Sequence, residues 1–347
     1  MTISVLVVDD SAFVRHALTR ELSRFDDIVV TGSAADAFEA RRLIVAQPPD
    51  VVTLDVEMPL MDGITFLGKV MTHHPLPVVV VSSSTPVGSA RAIEALRAGA
   101  FAAVCKPGRG HALATMATEL AETIRAAAAV DPARLLRMRR AGLPRVMAVG
   151  KAIPKRTVVI GTSLGGPAAL ESILTVMPAD GPGIVAALHM PAGYTASFAN
   201  RLDALTHMHV TEARHGDKIK PGLCLVAPGG VHTIVRGSPK SPHVVLRADP
   251  GLGGHVPSID VLFESTARTL GSSAVGAILT GMGSDGAAGL RAMRDAGAAT
   301  VAQDEATSIV FGMPGQAVKA GAVCHMAALG DIPRLLIRLA AARASRA

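Results

Sequence analysis

The sequence predicts an α/β protein built as two doubly wound domains. Three observations predict it. Apolar runs and helical patterns alternate five times over residues 3–125, the alternation breaks over 126–155, and it resumes from 156. Repeats of strand then helix fold into a parallel sheet covered by helices, with ligands bound at the carboxyl ends of the strands. At 347 residues the chain has room for two domains of ordinary size.

In the first domain, residues 1–125, the expected strands are ISVLVV (3–8), DIVVT (27–31), DVVTL (50–54), LPVVVV (76–81) and FAAVC (101–105). Each precedes a stretch of helical periodicity. Residues 126–155 hold a single acid, Asp131, among many Arg and Lys. We expect a basic linker there, partly helical, acting either as a solvated spacer or as a pin between the domains. The second domain, 156–347, opens with TVVIG. The following helix places Leu170, Ile173, Leu174 and Met177 at i, i+3, i+4 and i+7, one apolar face. Pro167 suits its first turn. GIVAALHM is the next strand. GLCLVAP, VHTIVR and HVVLR are short and separated by Pro and Gly, which predicts an antiparallel excursion. AVGAILTG, TVAQD and AVCHM then alternate with helices again.

Composition narrows the function. Hydrophobic residues make up 49% and aromatics only 3%, so the cores are built from Ala, Val, Leu, Ile and Met. The three cysteines, Cys105, Cys224 and Cys324, show no C-x-x-C spacing. They give neither a disulfide framework nor a zinc signature, which suits a reducing cytoplasm. The start MTISVLVVDD meets charge too early for a secretory signal, and no apolar run is long enough to span a membrane. A cytoplasmic protein with no membrane insertion is expected. The net charge of +6 permits an anionic partner. The second half, however, alternates strand and helix rather than forming a short module with a recognition helix, so no nucleic-acid partner is expected.

Two sets of residues carry chemistry. Asp9 and Asp10 end the first expected strand and Asp55 follows the third. In a doubly wound sheet these ends meet at the switch point. Three carboxylates crowded there repel one another, and Mg²⁺ is the natural neutraliser. Ser82 follows the fourth strand and Lys106, with Pro107 after it, the fifth. A hydroxyl and an ammonium facing carboxylates are what a phosphorylated aspartate needs.

The second set centres on Ser163. Gly161-Thr162-Ser163-Leu164-Gly165 fits the G-x-S-x-G pattern of nucleophile elbows. The same glycines could serve a phosphate cradle or only a turn. The dinucleotide spacing G-x-G-x-x-G is missing, and Glu171 lies too early to read a ribose. A serine hydroxyl needs a base, and the base needs a carboxylate. His189 ends GIVAALHM, and Asp285 follows the strand AVGAILTG. The backbone N–H groups of Met282 and Gly283 offer an oxyanion site. The order Ser, His, Asp opposes the α/β-hydrolase order Ser, Asp, His. Pairing Asp285 with His325, in GAVCHM, would restore that order, so the residues alone leave two candidate bases.

The first half resembles, over its whole length, the receiver domains of bacterial response regulators, through VVDDSAFVR, LDVEMPLMDG, VVVVSSS and CKPG. The resemblance implies a flavodoxin-like receiver of five parallel strands. It makes Asp55 the phospho-acceptor, Asp9 and Asp10 Mg²⁺ ligands with the backbone carbonyl of Glu57, and a chemotaxis-type histidine kinase the phosphodonor. Ala103 departs from the aromatic or His that receivers usually carry three residues before the lysine; the nearest aromatic is Phe101. The second half resembles the catalytic domain of the chemotaxis protein-glutamate methylesterases, the CheB family. GTSLGGPAAL, ALHMPAGYTASFANRLD, LVAPGGVH, HVPSIDVLFESTA, AILTGMGSDGAAGL and DEATSIVFGMPGQAV carry the match. It implies a Rossmann-like methylesterase domain with Ser163 as nucleophile, His189 as base, Asp285 as its orienting acid, and no cofactor for the esterase. Leu164 departs from the small residue often found after the nucleophile. The implied activity is removal of methyl from glutamate methyl esters, and deamidation of specific glutamines, on methylated chemoreceptors. Control is by phosphorylation of a receiver that otherwise covers the esterase cleft. The competing reading is a response regulator with a non-catalytic binding output.

Overall fold

The computed structural model describes residues 2–83, 85–106, 113–130, 156–248 and 254–342. The chain divides into two compact units, Met1–Ala141 and Gly142–Ala347. Most of the expected basic linker, residues 131–155, lies outside the described residues.

In the first unit, β1 (Ile3–Val8), β2 (Ile28–Ala34), β3 (Val51–Leu54), β4 (Val78–Ser82) and β5 (Ala102–Cys105) alternate with α1 (Ala12–Leu22), α2 (Ala37–Ala46), α3 (Gly63–His73), α4 (Pro86–Ala98) and α5 (Leu113–Ala128). Among the described residues the sheet order is β2-β1-β3-β4-β5, every pair parallel. This is the flavodoxin-like order, with its switch point between β1 and β3. The valines and leucines of β1, β3 and β4 are buried because helices cover both faces of such a sheet. Asp36 and Asp62 cap α2 and α3, each accepting two backbone N–H groups of the first turn. β2 runs past the expected DIVVT to Ala34. Its polar tail is held by register against the end of β1, with Ser33 opposite Val7 and Ala34 opposite Val8. α5 extends to Ala128, into the stretch expected to be linker.

The second unit contains β6 (Thr157–Thr162), α6 (Gly166–Leu174), β7 (Ile184–Leu188), α7 (Tyr194–Leu205), β8 (His209–Glu212), β9 (Leu223–Val226), β10 (His232–Ser238), β11 (Ser241–Arg247) and α8 (Ile259–Leu270). They are followed by β12 (Ala274–Ile278), α9 (Ala287–Asp295), β13 (Ala299–Gln303), α10 (Met313–Lys319), β14 (His325–Ala327) and α11 (Ile332–Ala341). Among the described residues, seven strands form one parallel sheet in the order β14-β13-β12-β6-β7-β9-β8. Its switch point lies between β6 and β12. Leu170, Ile173, Leu174 and Met177 are all fully buried, as their spacing predicts.

Two expectations about single strands are corrected. GLCLVAP is not part of the antiparallel excursion: it supplies β9, which lies parallel between β7 and β8. All four residues of β9 are buried, the mark of an interior parallel strand, whereas among the described strands β10 and β11 form the antiparallel pair. AVCHM gives a strand that starts only at His325. The Thr300 hydroxyl donates to Ala322 O and accepts from Cys324 N–H, which also donates to Thr300 O, so the stretch ahead of His325 is tied to β13 at this one residue.

Candidate active site and phosphoryl site

In the first unit the chain delivers its acidic groups to the switch point as expected. Asp9 directly follows β1, Asp55 directly follows β3, and both are buried. Carboxylate oxygens of Asp9, Asp10 and Asp55 lie within 4.8 Å of one another. Lys106, one residue past β5, reaches across with its Nζ 2.6 Å from Asp55 Oδ2 and 2.8 Å from Asp9 Oδ2. Backbone amides complete the set, Ser11 N–H donating to Asp9 Oδ1 at 2.9 Å and Glu57 N–H to Asp55 Oδ1 at 3.1 Å. Arg15 clamps the carbonyls of Asp9 and Asp10. Gly63 must be glycine, because a Cβ there would run into the Asp55 carbonyl. Ser82 ends β4 fully buried.

The charge balance of this cluster is unsettled. Burial pushes the Asp9 carboxyl above the usual carboxylate range, despite the contacts with Lys106. Burial also disfavours the Lys106 ammonium, but its bonds to Asp55 and Asp9 outweigh that and raise it. Three carboxylates against one ammonium leave an excess of negative charge. A hard divalent cation coordinated by oxygens fits this donor set. Ala103 is half-buried on β5, and the nearby Phe101 is packed in the core.

In the second unit three segments converge at the switch point. Ser163 follows β6, and His189 follows β7 in the adjacent register position, beyond the pair Thr162 and Leu188. The turn after Ser163 is tight. Gly165 has φ +75°, and a Cβ on Gly166 would sit 2.6 Å from Thr162 Oγ1. The loop after β12 folds back against the serine. Ser163 N–H donates to Thr280 O at 3.1 Å, and a Cβ on Gly281 would lie 2.8 Å from Ser163 Cβ. That loop carries Met282, Gly283 and Asp285.

His189 Nε2 is 2.7 Å from Asp285 Oδ2, and both side chains are largely buried. Asp285 also accepts from Ser258 Oγ at 3.0 Å, Ile259 N–H at 2.8 Å and Asp260 N–H at 2.9 Å. It therefore sits at the amino end of α8, where backbone donors and the helix dipole favour negative charge. Burial opposes ionisation of Asp285, but His189 and the amides of Asp260 and Ile259 win, holding its carboxyl far below the usual range. An ionised carboxylate only accepts, so Nε2 carries the imidazole proton. His189 Nδ1 is buried with no hydrogen-bond partner among the described residues.

The two histidines that the sequence leaves as candidate bases lie in different places. His325 opens β14 opposite Val301 in the middle of β13, below the rim and two strands from β12. Asp285 bonds His189 instead. Sequence reasoning missed His255, whose ring stacks on His189 with centroids 3.9 Å apart, and Ser258, which binds Asp285 and caps α8. A serine just before the apolar periodicity of α8 was a readable cap signal. Its approach to Asp285 was not.

A model of the CheB methylesterase family matches residues 158–336, and a model of the response regulator receiver domain matches residues 5–118. The chain belongs to the CheB methylesterase family. It is 50% identical to protein-glutamate methylesterase/protein-glutamine glutaminase 4 of Anaeromyxobacter dehalogenans, over 97% of this chain and 95% of that protein. It is 46% identical to protein-glutamate methylesterase/protein-glutamine glutaminase 2 of Syntrophus aciditrophicus, over 97% of this chain and 99% of that one. Among solved structures, the CheB methylesterase catalytic domain of Thermotoga maritima aligns with a TM-score of 0.51 and 34% identity, covering 53% of this chain and 98% of that chain. Like other CheB proteins, the chain is therefore an esterase with a receiver ahead of it, and the reading as a non-catalytic output module falls. No helix among the described residues is long and apolar enough to cross a membrane.

Proposed function

We propose that this chain is a phosphorylation-controlled protein-glutamate methylesterase and protein-glutamine glutaminase, with Ser163, His189 and Asp285 as its catalytic triad. The observation that carries the reading is the His189–Asp285 bond of 2.7 Å at the strand ends beside Ser163.

Ser163 Oγ attacks the carbonyl carbon of a glutamyl methyl ester, and its proton passes to His189 Nδ1. The imidazolium so formed keeps its Nε2–H on Asp285, which stabilises it without taking the proton. The carbonyl oxygen becomes an oxyanion held by the backbone N–H groups of Met282 and Gly283. The C–O bond to methoxide breaks, His189 returns its proton, and methanol leaves. Water, deprotonated by His189, then attacks the acyl-serine and releases glutamate and Ser163. A glutamine side chain follows the same course with ammonia leaving. Leu164 departs from the family's small residue, but the Leu164 carbonyl still accepts from Thr280 Oγ1 at 2.9 Å, so the backbone of the turn is held.

In the receiver, Asp55 accepts a phosphoryl group from a histidine kinase. Asp9, Asp10, Asp55 and the Glu57 carbonyl would hold Mg²⁺, which neutralises charge on the transferring phosphoryl group. Lys106 and Ser82 bind the phosphoryl oxygens. The added charge of about −1.5 to −2 is the signal that raises esterase activity. The substrates are methylated chemoreceptors, which fits a role in receptor adaptation. Methanol release from methylated receptors, with and without a small-molecule phosphodonor, tests both halves. Release that persists in Ser163→Ala, or that ignores the phosphodonor in the wild type, contradicts the corresponding half.

A further inference from the structure

His232 opens β10 and is completely buried. Its Nδ1 accepts the Ser258 backbone N–H at 3.1 Å. An accepting Nδ1 leaves the ring proton on Nε2, and Nε2 has no hydrogen-bond partner among the described residues. A buried donor without a partner is unfavourable, and an apolar side chain of similar size would fill the space without that cost. Packing therefore does not account for a histidine here.

Its one polar contact leads to the catalytic site. Ser258 is held by its N–H on His232, and its hydroxyl donates to Asp285 Oδ1 while accepting from Val261 N–H at the start of α8. The next two amides, Ile259 and Asp260, donate to the same carboxylate. Three of the four donors around Asp285 thus come from residues 258–260, and His232 fixes the first of these residues. We propose that His232 is a positioning residue for the esterase reaction, holding through Ser258 the carboxylate that orients His189. It rests on the triad reading above.

The test exploits the two ends of the imidazole. An Asn side chain can place its carbonyl oxygen near the Nδ1 position, whereas Gln places its amide near Nε2. His232→Leu should lower kcat for methanol release by about 10–100-fold with KM unchanged, the usual scale for losing a group that orients another. His232→Asn should restore most of that loss, and His232→Gln should not. Rates are taken per active site, counted by complete fluorophosphonate labelling of Ser163, so that misfolded protein does not enter. A Leu variant with wild-type kcat per site overturns the proposal. So does an Asn variant no better than Gln, whether or not the Leu variant folds. Loss of kcat in step with melting temperature in all three variants assigns His232 a structural role only. If Ser163→Ala still releases methanol, the triad reading fails; if it does not and His232→Leu is normal, only His232's role fails.

Discussion

The two units place carboxylates at the same topological position, yet treat them in opposite ways. In the receiver, Asp9 and Asp55 share the Lys106 ammonium with Asp10 close by, and burial pushes Asp9 upward. In the esterase, Asp285 alone receives four donors and is held far below the usual carboxylate range. The first site is left short of positive charge, and a cation or a phosphoryl group can change its balance. The second is satisfied before any substrate arrives, so that it need not reorganise during reaction. Regulation calls for the former and catalysis for the latter.

The sharpest way to break the comparison is to remove the proposed nucleophile beside the His189–Asp285 pair. Ser163→Ala should reduce methanol release to background, a loss on the scale of about 10⁶-fold for a triad serine. Phosphodonor should not restore it. Asp285→Asn should come next, with a loss of up to about 10⁴-fold, because an amide cannot fix the same imidazole tautomer. The same substitution reports on stability. A carboxyl whose folded value lies below its unfolded value stabilises the fold above about pH 4, and that stabilisation fades as the pH falls further. Thermal melts should therefore show the largest gap between wild type and Asp285→Asn at neutral pH and a smaller one in acid. An equal gap at both pH values would mean the charge of Asp285 contributes nothing to stability.

The receiver site predicts a different kind of failure. Asp55→Asn removes the proposed phospho-acceptor but leaves the esterase chemistry intact, so basal methanol release should persist and stimulation by phosphodonor should vanish. Equal stimulation of mutant and wild type would remove Asp55 from the regulatory role. Together with Asp285→Asn, this separates a carboxylate that is needed for turnover from one that is needed only for its control.

How much of this was legible in the sequence follows from what each feature depends on. Strand ends in a doubly wound sheet are set by short apolar runs, so Asp9, Asp55, Lys106, Ser163 and His189 could be placed on the rims from the sequence alone. β9 was misjudged because five apolar residues between Gly222 and Pro228 read alike as an edge hairpin or an interior parallel strand. The choice between His189 and His325 needed the register of β13 and β14, which Thr300 sets by bonding to residues on either side of Val323. Ser258, His255 and His232 were invisible near the site because their contacts with Asp285, His189 and Ser258 exist only in the folded chain.

The smallest effect tests how the satisfied site shares its load. Ser258→Ala deletes one of four donors to Asp285 and the cap of α8 together. The cap alone is worth about 1 kcal/mol. Loss of one neighbour from a carboxylate that keeps His189 and two backbone amides should cost about tenfold in kcat, roughly 1.4 kcal/mol, the low edge for a hydrogen bond to a charged group. Both losses read out separately, in a denaturant titration and in methanol release per labelled Ser163. If stability falls while the rate holds, the backbone amides of Ile259 and Asp260 suffice to orient the carboxylate. The sharing of load would then lie in the helix end itself rather than in the serine.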